Sequence, residues 1–416
     1  MSDESYIVNE ELLDGCEPFD TEEARAELRQ FFKFDERRIL FGHGALQALP
    51  DECERLGARR VYLVRDPALD DLSQHVEGEL ADAQIGVVAI DTAVVANPTV
   101  EGVDALAARL SSAPSFDVVV ALGGGSTMDS CKVAVTLAAN GGSASDYFGF
   151  DQFEKAASWP LICLPTTAGT GAEASRVSVV ATDQGKQAIY DDHILPGTAI
   201  VDPELTMNMP HVLTATTGLD AIGHALECTA SKKSNALADA VARASLQAGL
   251  PYFERAVTDG ALDAAARRQM SRCSILAGLL LGPINTGAAH ALGYSIEKLS
   301  FLRGHPVPHG TAVALVLPGV MLHNAPVAAE KYYYAAGVAG IDLGGASQEE
   351  GVGRIVAWID DLRRRHTPYG CLGDAGLTSA DIPEMIQISL QIRRLLDPNP
   401  VEVTEADAER IYRGVL

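Results

Sequence analysis

Four short apolar runs constrain this chain more than any other feature: Arg60–Val64, Ile85–Ile90, Phe116–Leu122 and Trp159–Leu164. Each is too short for a helix, and helical patterns separate them. Near-continuous apolar strands are buried on both faces, a property of parallel sheets covered by their crossover helices. Arg38–Phe41 opens the series as a further strand-like piece. Past about Leu205 such runs nearly vanish, and segments around Asp220–Thr229, Ala236–Val257, Ala261–Gly282, Gly287–Leu299, Thr311–His323 and Gln348–Arg365 read as helices. The pairs Asp202-Pro203 and Met209-Pro210 punctuate the change. The expected fold is a parallel-sheet α/β domain over residues 36–205, then an all-α domain over 206–416. Residues 1–35 form an acidic N-terminal extension with one short helix expected from Thr21 to Leu28.

The turns of the α/β part carry polar chemistry. Gly123-Gly124-Gly125-Ser126 follows a strongly apolar strand and leads into an expected helix beginning at Thr127. Glycines there let the backbone approach a ligand, and the N–H groups of a helix start suit a pyrophosphate. The pattern is neither a Walker A loop nor Gly-x-Gly-x-x-Gly. Asp66, closing the strand at Val64, can accept hydrogen bonds from an adenosine ribose and disfavour a 2′-phosphate, although neighbouring Arg65 pulls the other way. Because Asp66 precedes the glycine loop, the topology must be a variant of the ordinary Rossmann order. The loop Pro165–Ser175 is dense in hydroxyls and glycines, Lys186 beyond it offers a point charge, and Asn97-Pro98-Thr99 is another rigid polar corner.

A second constellation lies in the helical half. Asp220 and His224, four residues apart, place a carboxylate and an imidazole one turn apart on a helix face. His290 sits in a second helical segment and His309 just before a third. One carboxylate and three imidazoles make an N/O shell for Fe(II) or Zn(II), with room left for a substrate oxygen. His43, His193, His211 and His323 read as structural or surface residues, and Trp358 as helix core.

Composition narrows the partners. Thirty-two Lys and Arg against 56 Asp and Glu leave a formal charge of −24 in 416 residues. That disfavours nucleic acid and anionic membranes, so an anionic cofactor needs local donors. The seven cysteines are scattered, with no Cys-x-x-Cys, and read as reduced thiols in a cytoplasm. The acidic N-terminus has no secretory pattern, and no apolar run is expected to reach membrane-spanning length.

Taken together, Gly123–Ser126 with Asp129 and Lys132, Pro165–Glu173, Asp202-Pro203 with Pro210, Thr217–Asp220 with His224 and Glu227, His290–Tyr294, and Pro308-His309-Gly310 resemble the iron-containing (group III) alcohol dehydrogenase family. The matches run in family order from about residue 38 to 325. The resemblance implies a Rossmann-like dinucleotide-binding domain, a helical metal-binding domain and a cleft between them. It implies that Asp220, His224, His290 and His309 bind a divalent metal, usually Fe2+ and sometimes Zn2+. It implies NAD(P) held by Asp66, Asn97, Gly124, Gly125, Ser126, Thr166, Thr167 and Lys186, with Thr127, Thr170 and Ser175 nearby; Asp66 tilts the preference toward NAD over NADP. The implied reaction interconverts a small alcohol with an aldehyde or ketone by hydride transfer, in a homodimer. A dehydroquinate-synthase-like lyase is the alternative on the same architecture.

Two departures from the family pattern stand out. Many members carry a His where this chain has Tyr294, which makes the Tyr hydroxyl the candidate substitute. Extra residues within Lys298–His305 make His305 a rival to His309, but the Pro308-His309-Gly310 context favours His309; Lys298 and Arg303 read first as solvated surface charges, with a cleft-facing role that selects an anionic substrate as the alternative.

Overall fold

The computed structural model describes residues 37–182 and 185–416, so the expected helix at Thr21–Leu28 and Cys16 lie outside the described residues. The strands are β1 (Arg38–Phe41), β2 (Arg60–Arg65), β3 (Gly86–Asp91), β4 (Val118–Gly123), β5 (Gly149–Phe150), β6 (Leu161–Pro165), β7 (Val177–Thr182), β8 (Gly185–Tyr190) and β9 (Thr198–Val201). Six of them form one sheet in the order β1-β9-β6-β4-β2-β3, every pair parallel. β4 sits inside it, and all six of its residues are buried. Val119 and Ala121 face one apolar core while Val118, Val120 and Leu122 face another, which is why the run is apolar throughout.

The helix Gly125–Asn140 starts directly from β4, so the glycine turn lies at the carboxyl edge of the sheet. Arg65, Asp91 and Pro165 end their strands on the same edge, where open parallel sheets bind ligands. β2 neighbours β4, and the Asp66 N–H donates to the Leu122 carbonyl at 3.2 Å. Asp66 therefore reaches the glycine loop although it precedes it by a whole crossover.

Four strands carried no apolar run long enough to be read. β7 and β8 form an antiparallel hairpin, with β5 beside β8, in a second small sheet. β9, only Thr198–Val201, slots between β1 and β6. The hairpin matters functionally, since alternation along β8 puts Lys186 and Tyr190 on one face.

After β9 the described regular structure is helical. Pro251 splits the expected Ala236–Val257 segment into Ala236–Gly249 and Phe253–Thr258, because proline lacks the N–H that a continuous helix needs there. In the other direction, His309–Val338 runs through Pro318 and Pro326 well past His323. This helix is long and apolar enough to cross a membrane by length and composition, which corrects the expectation that no run is. Its apolar residues pack instead against the helices of the main core, from Leu315 and Val316 to Tyr332 and Ala336.

The described residues form one compact unit. Within it, the helices His211–Ala230, Ala288–Leu302 and His309–Val338 approach closely through glycines. A Cβ on Gly310 would stand 2.1 Å from the Thr216 carbonyl oxygen and 2.8 Å from Asp220 Cβ, and one on Gly293 would stand 3.2 Å from the Val313 nitrogen. The glycine after His309 is there for proximity between helices. It lets one helix start directly on another.

Candidate metal and cofactor site

Asp220 and His224 lie on the buried His211–Ala230 helix, His290 on Ala288–Leu302, and His309 is the first residue of His309–Val338. The three imidazole Nε2 atoms converge on one carboxylate oxygen. Asp220 Oδ1 lies 3.8 Å from His224, 3.5 Å from His290 and 3.7 Å from His309. These separations exceed a hydrogen bond, and both Asp220 Oδ1 and His290 Nε2 are buried without a hydrogen-bond partner. Ligand atoms about 2.0–2.2 Å from a tetrahedral ion stand roughly 3.3–3.6 Å from one another. The spacing therefore fits four donors around a cation better than four groups bonded to each other. Donor atoms of Asp220, His290 and His309 all fall within 4.8 Å of one another, whereas His224 reaches Asp220 but stands outside that triplet.

Buried carboxylates, absent from the sequence reading in these roles, hold the rings. His290 Nδ1 pairs with Glu227, which also accepts the Ala289 N–H at 2.6 Å. His309 Nδ1 pairs with Glu297 Oε1 at 2.5 Å, and Lys186 Nζ meets the other Glu297 oxygen at 2.5 Å. With the Nδ1 atoms of His290 and His309 occupied, their Nε2 atoms are turned toward Asp220, an outer layer of the kind that orients metal-bound histidines, whereas the buried Nδ1 of His224 has no hydrogen-bond partner. Asp220, Glu227 and Glu297 stand among the imidazoles, with Lys186 compensating only Glu297, and carboxylates in that position suit a dication. Glu227 sat in the Asp220–Glu227 motif, but Glu297 had no signal beyond its place one turn after Tyr294.

Electrostatics agree with the geometry. Burial resists ionisation of Asp220, but His224 and His309 beside it hold its carboxyl well below the usual range. Burial drives His224 down to about 4. Burial also works against charge on His290, yet Glu227 and Asp220 outweigh it and lift this imidazole to about 9. Of the ligand side chains His309 alone is substantially open, at 25% exposure against 3–6% for the others, so the approach is from its side.

Tyr294 lies on that approach. Its ring stacks on His309 with centroids 5.4 Å apart, and Lys186 Nζ stands 5.6 Å from its centre. Burial raises its hydroxyl pKa further than Arg394 and Lys186 lower it, so it stays protonated at neutral pH.

The cavity beside these residues continues to the glycine loop. Asn97, Gly125, Ser126, Thr170, Ser175 and Lys186 line it with the four metal candidates, whereas Asp66, Gly124, Thr127, Thr166 and Thr167 do not. Thr127 and Thr166 are buried. The Pro165–Ser175 loop packs onto the glycines: a Cβ on Gly124 would meet Thr167 at 3.2 Å, and one on Gly125 would meet Thr170 at 2.7 Å. Lys132 Nζ ties the loop down through Ala172 O at 3.1 Å and Ser175 Oγ at 3.3 Å. Arg65 is engaged by Asp70 and by the Asp66 and Pro67 carbonyls, so it is not free to receive a 2′-phosphate.

The inserted segment stays off the site, so the alternative roles for His305, Lys298 and Arg303 fall away. His305 is exposed and rests against Gly376, away from Asp220. Arg303 is exposed and paired with Asp381, and Lys298 lies along Gly185; neither lines the cavity. The Asp202 carboxylate caps its own turn by accepting N–H groups from Gly44, Leu46 and Glu204, so its motif is structural.

Glu173 offers a pH test of the loop. Burial lifts its carboxyl to about 7 from 4.5. A raised acid favours the neutral folded form, so its penalty is absent below 4.5 and develops as pH rises toward 7, reaching up to about 3 kcal/mol. Glu173→Gln is expected to melt a few degrees above the parent at pH 8 and level with it at pH 4.5. Equal melting temperatures at pH 8 would count against a buried, strained carboxylate.

Comparison with known proteins identifies the family. The family model described as iron-containing alcohol dehydrogenase matches residues 36–203, and that of the family's C-terminal part matches 214–416. Long-chain-alcohol dehydrogenase 1 of Geobacillus thermodenitrificans is 32% identical over 90% of this chain and 93% of its own. 4-hydroxybutyrate dehydrogenase of Cupriavidus necator is 36% identical over 68% of this chain and 74% of its own. Sulfoacetaldehyde reductase from Bifidobacterium kashiwanohense, solved in complex with NAD+, superposes with a TM-score of 0.80 at 30% identity, covering 92% of this chain and 98% of that one. Matched over residues 36–203 and 214–416, the chain belongs to the iron-containing alcohol dehydrogenase family.

Proposed function

We propose that Asp220, His224, His290 and His309 hold one divalent metal, Fe2+ in preference to Zn2+, at the inner end of a cavity whose outer part takes NAD. The chain is an oxidoreductase interconverting alcohols with aldehydes or ketones in a metal-dependent, NAD-linked reaction, which the family match favours over a dehydroquinate-synthase-like lyase. When bound, the metal supplies Lewis acidity toward the substrate oxygen, and the nicotinamide supplies or takes the hydride.

The protein's own part is alignment and proton handling. Glu227 and Glu297 fix the His290 and His309 rings, and Lys186 in turn steadies Glu297. The protonated Tyr294 hydroxyl is the group best placed to pass a proton at the substrate side, in place of the His common in the family. Gly125, Ser126 and Asn97 border the part of the cavity that would take the phosphates, while Gly124 and Gly125 leave room for Thr167 and Thr170 to pack on the turn, with Thr166 and Thr127 buried behind it. Asp66, with Arg65 tied down, favours NAD over NADP. The cofactor-binding and metal-binding parts correspond to residues 36–205 and 206–416. Five of the six described cysteines are buried and all six are free, which supports a reducing, cytoplasmic setting; a homodimer is the assembly we expect.

The observation carrying this reading is the ring of Nε2 atoms around an unpartnered Asp220 oxygen. The test is NADH- and NADPH-linked reduction of a panel of short aldehydes by metal-stripped protein reloaded with Fe2+ or Zn2+. Activity is expected only after reloading, fastest with iron and NADH. Full activity in stripped protein would refute the metal's role.

A further inference from the structure

Arg394 is a cation without an anion. It lies in the short helical turn Arg393–Leu396 and lines the cavity with Asp220, His290 and Tyr294. Its Nη1 donates to the Tyr190 hydroxyl at 2.7 Å, while its Nη2 is buried with no hydrogen-bond partner. The guanidinium carbon stands 5.6 Å from the centre of the Tyr190 ring and 5.7 Å from that of Tyr294. Among the described residues, no carboxylate lies within ion-pair distance of it.

The other charges lining the cavity are spoken for. Lys186 is neutralised by Glu297 at 2.5 Å, Asp129 faces Lys132 at 3.2 Å, and Asp220 belongs to the imidazole cluster. Asn285, held at φ +70°, steadies the arginine from behind. Its amide donates to the Arg394 carbonyl at 3.3 Å and to the Tyr190 hydroxyl at 3.0 Å. A guanidinium withdrawn from water and left unpaired is costly, so its place is explained when a ligand brings the charge. The planar fork of arginine matches a carboxylate-like oxyanion.

We propose that Arg394, steadied by Tyr190 and Asn285, recognises the anionic end of the substrate, which is a short alcohol or aldehyde bearing a carboxylate or similar oxyanion remote from the reacting carbon. This rests on the oxidoreductase reading above. The Tyr294 ring neighbours both the guanidinium, 5.7 Å from its centre, and the His309 ring, 5.4 Å away, so the span from anion to reacting carbon is a few carbons.

The experiment reads the ratio of kcat/KM for 4-oxobutanoate to that for butanal, with NADH, in the iron-loaded parent, Arg394→Gln and Arg394→Lys. Calorimetric binding of 4-hydroxybutanoate to the protein with NAD supplies a readout independent of turnover. The parent is expected to favour the carboxylate by at least about tenfold. In Arg394→Gln the ratio and the binding constant should both fall roughly 10- to 100-fold, mostly through KM. Arg394→Lys returns the charge without the fork, and should recover part of both; it also serves if the glutamine variant does not fold. A parent ratio near one, or a ratio and affinity that ignore both replacements, overturns the proposal. If butanal is reduced and Arg394 is irrelevant, the anion site fails and the oxidoreductase stands. If neither aldehyde is reduced but carboxylate binding still depends on Arg394, the reaction fails and the anion site stands.

Discussion

Replacing Asp220 with alanine is expected to strip the protein of metal and lower turnover by at least about a thousandfold, while NAD still binds. The reason is the sharing of a single oxygen: Asp220 Oδ1 is the point on which three Nε2 atoms close. Removing it leaves three imidazoles, two held by carboxylates behind them, with no negative ligand at the centre. The loop at Gly124–Ser126 is on a different element and is untouched, so cofactor affinity should stay within a few-fold. Metal content by elemental analysis, NAD binding by calorimetry and NADH-linked turnover separate the two halves of the site. Loss of NAD affinity together with metal would mean that Asp220 supports the fold as a whole.

Gly310→Ala is expected to be nearly as damaging without touching a ligand. The new Cβ would fall 2.1 Å from the Thr216 carbonyl oxygen and 2.8 Å from Asp220 Cβ, and neither is the yielding end of a long side chain. The helix beginning at His309 must then move away from the helix carrying Asp220. We expect a stability loss of about 2–4 kcal/mol and at least roughly tenfold weaker metal binding. Gly78→Ala is the contrast, because a Cβ there meets nothing within 4 Å inside the helix Asp70–Asp82. It should be neutral or stabilise by up to about 1 kcal/mol. Thermal melts of both variants, with metal titration of Gly310→Ala, check the pair. A Gly310→Ala protein that melts and binds metal like the parent would show that the helices can part at little cost.

Much of this was legible beforehand, for reasons visible in particular residues. β4 declared itself because a strand buried on both faces has no polar alternation to dilute it. Asp220 and His224 could be paired because helical spacing is local. β5, β7, β8 and β9 were missed because β5 has two residues and β9 four, β7 alternates in burial and β8 is buried only over Ala188–Tyr190, and with β8 went the face carrying Lys186 and Tyr190. Lys186 reads in sequence as a phosphate partner, yet its partner is Glu297, 111 residues away. Arg394 and Asn285 had no motif at all, since their meeting at Tyr190 joins three distant stretches of chain. Arg303 was the wrong basic residue for an anion, because Asp381 already holds it at the surface.

The central claim is that one cation sits where three imidazoles face one carboxylate. Anomalous diffraction at the iron absorption edge, on crystals of iron-loaded protein grown with NAD, tests it most directly. The account predicts a single strong peak about 2.0–2.3 Å from Asp220 and from the Nε2 atoms of His224, His290 and His309. A loaded, active protein whose only iron peak lies elsewhere, or a peak bonded to His305 in place of His309, would contradict it.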